Sequence, residues 1–184
     1  MNRSPMLWAL LVGSVIGLIE AIAETASPSW AESVGDHWTG LVAMSLVVFG
    51  FWVVSKSFTE PTRGIRITLG LVILSYAMMG VVQNIAELLD YNGVVNGNIG
   101  LLFLFFSIVL AVSSIVLGVR AWRQAAWPRW TTLIVIAAPL GATVPVAPQL
   151  LAIHFPNELL HAFFFAGPFA LALGNWRMRP NPLK

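Results

Sequence analysis

The chain has 184 residues, 58% of them hydrophobic and 10% charged, with a formal net charge of +2 and no cysteine. A soluble domain carries about 25% charged and about 45–50% apolar residues, so this composition points to a membrane protein. The absence of cysteine excludes disulfides, iron–sulfur clusters, thiolate metal sites and a cysteine nucleophile, and the small charge without a basic run excludes nucleic acid as a partner.

Apolar runs long enough to cross a bilayer, about 17–25 residues, occur six times, at 6–23, 38–54, 67–89, 99–119, 131–153 and 158–176. In hydrocarbon such runs must be helical, because each backbone N–H and C=O has to be paired internally. The period-2 alternation of a transmembrane barrel is missing. The expected fold is all-α, a polytopic integral membrane protein of six transmembrane helices in one domain over 1–184. The six pair as three helical hairpins, at about 1–60, 61–124 and 125–184.

The first run has the layout of a cleavable leader, with Arg3, a short apolar core and Ala-Ile-Ala at 21–23; it is read as a retained helix. Its Gly13 and Gly17, four apart, are spaced for a close helix contact. Lys56 and Lys184, the two lysines, lie at or beyond the ends of runs, which leaves no place for a retinal Schiff base. The fifth run carries "PLGATVPVAP", where Pro139, Pro145 and Pro148 each remove a helix hydrogen bond and predict a bend.

Charge sets the expected orientation. Arg3, Lys56, Arg63, Arg66, Arg120, Arg123, Arg129, Arg177, Arg179 and Lys184 all fall on one side of the six runs, which the positive-inside rule makes cytoplasmic, with both termini. The opposite side holds Glu24, Glu32, Asp36, Asp90 and the "HFPNE" turn. Tryptophans cluster at the run ends, as interfacial tryptophans do.

Segments "GLIEAIAE" (17–24) and "GVVQNIAE" (80–87) match at Gly, Ile, Ala and Glu. At that offset, Gly13, Gly17, Glu20 and Glu24 overlie Tyr76, Gly80, Gln83 and Glu87, each set on one helical face. The first two hairpins therefore read as a duplicated repeat of the kind found in membrane proteins.

Polar side chains at membrane depth are the functional candidates, because each costs free energy to place there. Glu20 lies about one turn inside the outer end of the first run; a carboxyl at that depth is either neutral or held by hydrogen bonds across helices, to Asn84 or a serine. Glu20 and Glu87 are candidates for proton transfer. His37 and His161 are candidates for cofactor binding, as the axial ligands of a b-type haem, with Gly167 and the phenylalanines at 163–165 leaving an apolar slot. His154, Glu158, His161 and Glu24 are candidates for a transition-metal site, since Glu158-x-x-His161 has the helical spacing used in carboxylate-bridged metal bundles. The bland reading is that these are interfacial residues near helix ends.

The expected function is a metal- or haem-binding redox subunit of respiratory type. The alternatives are a small transporter or substrate-capture subunit working at the outer face, and a non-catalytic scaffold subunit. In size and span count the chain resembles the substrate-capture subunits of energy-coupling vitamin transporters. The expected partners are the bilayer and, in a complex, other membrane subunits or further copies of the chain.

Overall fold

The structure, a computed structural model, describes residues 4–27, 34–58, 61–88, 98–143 and 157–177. Among these residues every regular element is helical. In chain order they are α1 (Ser4–Ala26), α2 (Val34–Phe51), a 3₁₀ turn (Val54–Ser57), α3 (Arg63–Tyr76), a π-helical segment (Ala77–Val82), α4 (Gln83–Leu88), α5 (Asn98–Arg123), α6 (Arg129–Thr143) and α7 (Asn157–Arg177).

Three stretches are long and apolar enough to cross a membrane: Pro5–Ala26, Arg63–Val82 and Leu104–Arg123, with mean hydropathies of 2.1, 1.9 and 2.2. Shorter apolar helices cover His37–Phe51, Arg129–Leu140 and Ala162–Trp176. The radial distribution of side chains also suits lipid. Trp8, Ile19, Ile22, Phe49, Trp52, Ile67, Phe105, Ile108 and Leu133 are exposed, while Ser14, Ser75, Ser107, Ser113, Ser114, Thr131 and Thr132 are buried. Helices that meet in hydrocarbon gain nothing from hiding leucine, so small hydroxyl residues gather at their contacts.

The longer helices pack on one another in chain order, the short α4 lies against α2, and α7 closes back onto α1. Glycines set the closest of these approaches. A Cβ on Gly13 would lie 2.7 Å from the Ala43 carbonyl oxygen of α2, and one on Gly50 would lie 2.5 Å from Leu10 Cβ of α1. The Gly13–Gly17 pair thus does serve close contacts, but with two partners, because Gly17 sits under the Phe165 ring of α7. Trp8 and Trp176 meet edge to face, with centroids 5.0 Å apart, at the far end of the same α1–α7 pair.

Local chemistry explains the element ends. Thr62 caps α3, its hydroxyl oxygen accepting from the Ile65 N–H at 3.4 Å. The end of α5 is a Schellman motif: the Ala126 N–H bonds the Ala121 carbonyl at 2.9 Å and the Ala125 N–H bonds that of Trp122 at 3.2 Å. Its left-handed position, usually glycine, is held here by Ala125 at φ 49°.

Two features depart from the expected elements. The run at 67–89 is not one α-helix: its middle widens into the π segment, in which Gly80 is packed beneath Met44. Periodicity cannot show one extra residue in a turn when both faces are apolar. In α6 the helix runs through Pro139 and is described to Thr143; Pro145 and Pro148 lie outside the described residues. A further proline, Pro168, is built into α7 and fully buried. It lacks an N–H for the Phe164 carbonyl, and the Tyr76 hydroxyl donates to that carbonyl instead, at 2.8 Å. Tyr76 also packs on Phe51, with centroids 5.0 Å apart, and on Phe164 at 6.3 Å, so this hydroxyl sits in the middle of the core.

Candidate functional site

The polar site is built from α1, α2 and α4 around one glycine. Gly40 presents a bare Cα, and the position its Cβ would take is 3.0 Å from Glu20 Oε1, 2.8 Å from Asn84 Oδ1 and 3.1 Å from Asn84 Nδ2. A carboxyl and an amide from two different helices therefore converge on one point of a third. Glu20 is only 7% exposed, which places its carboxyl inside the bundle.

The π segment helps to aim Asn84. The Asn84 Nδ2 donates to the Gly80 carbonyl at 2.7 Å, so the amide is anchored to the wide turn below it. Both ends of that amide, Oδ1 and Nδ2, stand close to the same point as the Glu20 oxygen. A carboxyl with an amide oxygen near it suits a donor, a cation or a proton rather than an anion. Wide turns recur at functional positions because they re-aim side chains at small cost to the helix.

The register between helices extends the site outward. Leu10 against Gly50, Gly13 against Val47 and Glu20 against Gly40 define how α1 and α2 run past each other. At that antiparallel register, Glu24 comes level with Asp36 and His37. Glu24 is buried at 5% exposure and His37 is half-buried. On the other side of α1, Trp8 against Trp176 and Gly17 against Phe165 define the register with α7. It brings position 158 level with Glu24 and position 161 level with Glu20.

The candidate residues from the sequence are thus placed as follows. Glu20, Glu24 and His37 lie toward the same end of the α1–α2 pair. Glu158 and His161 lie on the first turns of α7, and Glu87 on α4, but their side chains are outside the described residues. His154 lies outside the described residues altogether. Among the described residues no group of three or more His, Asp or Glu is placed to hold a metal. Of the rings expected to wall a haem slot, two are packed into the core, Phe165 on Gly17 and Phe164 against Tyr76, while Phe163 is exposed.

Sequence reasoning named Asn84 only as a hydrogen-bond partner and overlooked Gly40 as the floor of the site. The available signal was the coincidence of a polar pair, Gln83-Asn84, with a preceding glycine inside an apolar run. Comparison with known proteins returns no matching family model, no matching curated protein and no matching solved structure.

Proposed function

We propose that the chain is an integral membrane protein of six spans, with both termini cytoplasmic, that captures a cationic ligand or a proton at its outer end. The observation that carries this reading is the convergence of Glu20 and Asn84 on the bare Cα of Gly40, a buried carboxyl and a half-buried amide at the meeting of three helices. Glu24 and His37, about one turn farther out, line the route from the surface. A carboxyl in this position is costly to bury and is retained where it binds or relays charge. The one-sided basic residues support the orientation.

The two halves of the proposed repeat also perform the same task. Gly17 is covered by Phe165 of α7, the helix before α1 around the bundle, and its counterpart Gly80 is covered by Met44 of α2, the helix before α3. Transporters built from repeats place their sites where such halves meet.

A second reading is a metal- or haem-dependent redox subunit in which Glu24, His37, His154, Glu158 and His161 supply ligands and Glu20 and Glu87 move protons. It is favoured by the register that brings positions 158 and 161 level with Glu24 and Glu20. One experiment separates the two. Metals are counted per chain by mass spectrometry on detergent-purified protein never exposed to chelator, with an absorption spectrum for haem. About one or two transition metals per chain, or a Soret band, supports the redox reading. Metal-free protein that is stabilised against heat by a small organic cation, and loses that stabilisation in Glu20→Gln, supports capture. Metal-free protein on which cations and pH act identically with and without Glu20→Gln refutes both.

A further inference from the structure

The apolar stretch from Leu104 to Arg123 carries a continuous exposed face that ends in fixed positive charge. On α5 the exposed side chains Val112, Val116, Val119 and Trp122 recur at every third or fourth residue, which aligns them on one side of the helix. Arg123, also exposed, continues that face one turn beyond Val119. From Val112 to Trp122 the helix rises about 15 Å, the depth of one leaflet of a bilayer whose hydrocarbon core is about 30 Å thick.

At the charged end, two helices contribute. Arg129, exposed at the start of α6, holds its guanidinium over the Trp122 ring, 5.4 Å from the centroid. A guanidinium held by an aromatic ring gives up less freedom when it binds an anion, and its planar fork matches phosphate. Arg120 lies against the bare Cα of Gly64, where a Cβ would be 2.3 Å from its Nη1. The end of α5 therefore adjoins the start of α3, whose first turn has no acidic residue and whose Arg63 and Arg66 are exposed. Trp8 against Trp176 and Thr131 against Gly174 bring the starts of α1 and α6 to the end of α7, which puts Glu20 and Glu24 at the opposite end of the bundle. Glu60, the acidic residue of the segment before α3, lies outside the described residues. Like charges gathered at one end of a bundle repel, and a bound anion offsets that cost.

We propose that the end of α5 and the start of α6 bind an anionic phospholipid, with its phosphate on Arg123 and Arg129 beside Trp122 and an acyl chain along Val119, Val116 and Val112. A lipid fits better than a soluble acidic partner because the charged end and the apolar face are continuous, and an amphiphile matches both. A zwitterionic headgroup fits less well, since its own cation would enter a region already rich in arginine. The inference rests on the reading of α5 as a membrane span and is independent of what binds at Glu20.

The test counts phospholipids bound to the full chain by native mass spectrometry, after titration with phosphatidylglycerol or phosphatidylcholine in a neutral detergent. Phosphatidylglycerol should bind more tightly. Arg123→Gln and Arg129→Gln should each weaken it about fivefold, the contribution of one basic residue near an anionic lipid surface, and leave phosphatidylcholine binding unchanged. Arg129→Lys keeps the charge but loses the planar fork, so it should weaken phosphatidylglycerol binding by about twofold or more. The replaced side chains are exposed, so unchanged helical circular dichroism and Tm confirm the fold. Equal binding of the two lipids overturns the proposal. So does a preference that Arg129→Lys leaves intact, which would come from the field of the whole basic end. Tighter binding of polyglutamate than of phosphatidylglycerol identifies a soluble acidic partner and overturns it as well. A chain that stays in solution without detergent overturns the membrane reading itself, whichever lipid it prefers.

Discussion

The Tyr76–Phe164 hydrogen bond exists because Pro168 cannot donate, and a double-mutant cycle tests that dependence. Tyr76→Phe keeps the ring, which packs on Phe51 and Phe164, and removes only the hydroxyl. A buried carbonyl deprived of its donor costs about 1–3 kcal/mol, while hydrogen bonds between membrane helices average about 0.6 and reach about 1.7 kcal/mol. Taking the two ranges together, the expected cost is about 1–2 kcal/mol. For a chain of this length that is a fall of about 2–8 °C in Tm. Pro168→Ala restores an N–H at the position that would bond the Phe164 carbonyl in a regular α-helix. In that background the Tyr76 hydroxyl becomes a second donor to a satisfied acceptor, and Tyr76→Phe should cost no more than about 0.5 kcal/mol. The loss of the buried proline ring affects both arms with Pro168→Ala and cancels in the cycle. The assay is reversible unfolding of the four proteins in one detergent, followed by circular dichroism. Equal costs of Tyr76→Phe in the two backgrounds would refute the reasoning.

Other glycine and turn substitutions probe the packing and the site. Gly17→Ala drives a methyl to 2.2 Å from the Phe165 ring and should destabilise by about 1–3 kcal/mol, with recovery when Phe165→Leu is added, both read as Tm. Gly70→Ala meets nothing within 4 Å, so it should stabilise α3 by about 0.5–1 kcal/mol; a fall in Tm would mean that this face is covered in the native protein. Gly40→Ala should leave Tm nearly unchanged, since a helix-propensity gain of about 1 kcal/mol offsets the displacement of the Glu20 and Asn84 side-chain ends, yet ligand-dependent stabilisation should vanish. Ala125→Gly relieves an L-residue in the left-handed region and should raise Tm by the equivalent of about 1 kcal/mol; no rise would argue against the Schellman end of α5.

How far the sequence could be read depended on the range of the interaction involved. A run of apolar residues is a local property, so the helices at 4–26, 34–51, 98–123 and 157–177 were expected at nearly their observed places. The ends shifted by a few residues, because caps and not hydropathy terminate helices. The interruption at Ala77–Val82 was not legible, since an inserted residue in a helix with two apolar faces leaves no periodic mark. Glu20 was singled out by the cost of a carboxyl at depth and Asn84 as its hydrogen-bond partner, but nothing local marked Gly40, whose role depends on the two helices that meet it. Pro168 was passed over as well, because the tyrosine that answers it lies 92 positions away in sequence from the proline.

The sequence by itself determined that the chain is all-helical and where its apolar helices lie. These follow from hydropathy and from the need of backbone groups in apolar surroundings to pair within a helix. Only the tertiary structure decided which polar groups meet. The meeting depends on helix registers set by close contacts such as Leu10 with Gly50 and Gly17 with Phe165. Those contacts arise from the shapes of two surfaces at once, and no single stretch of chain records them.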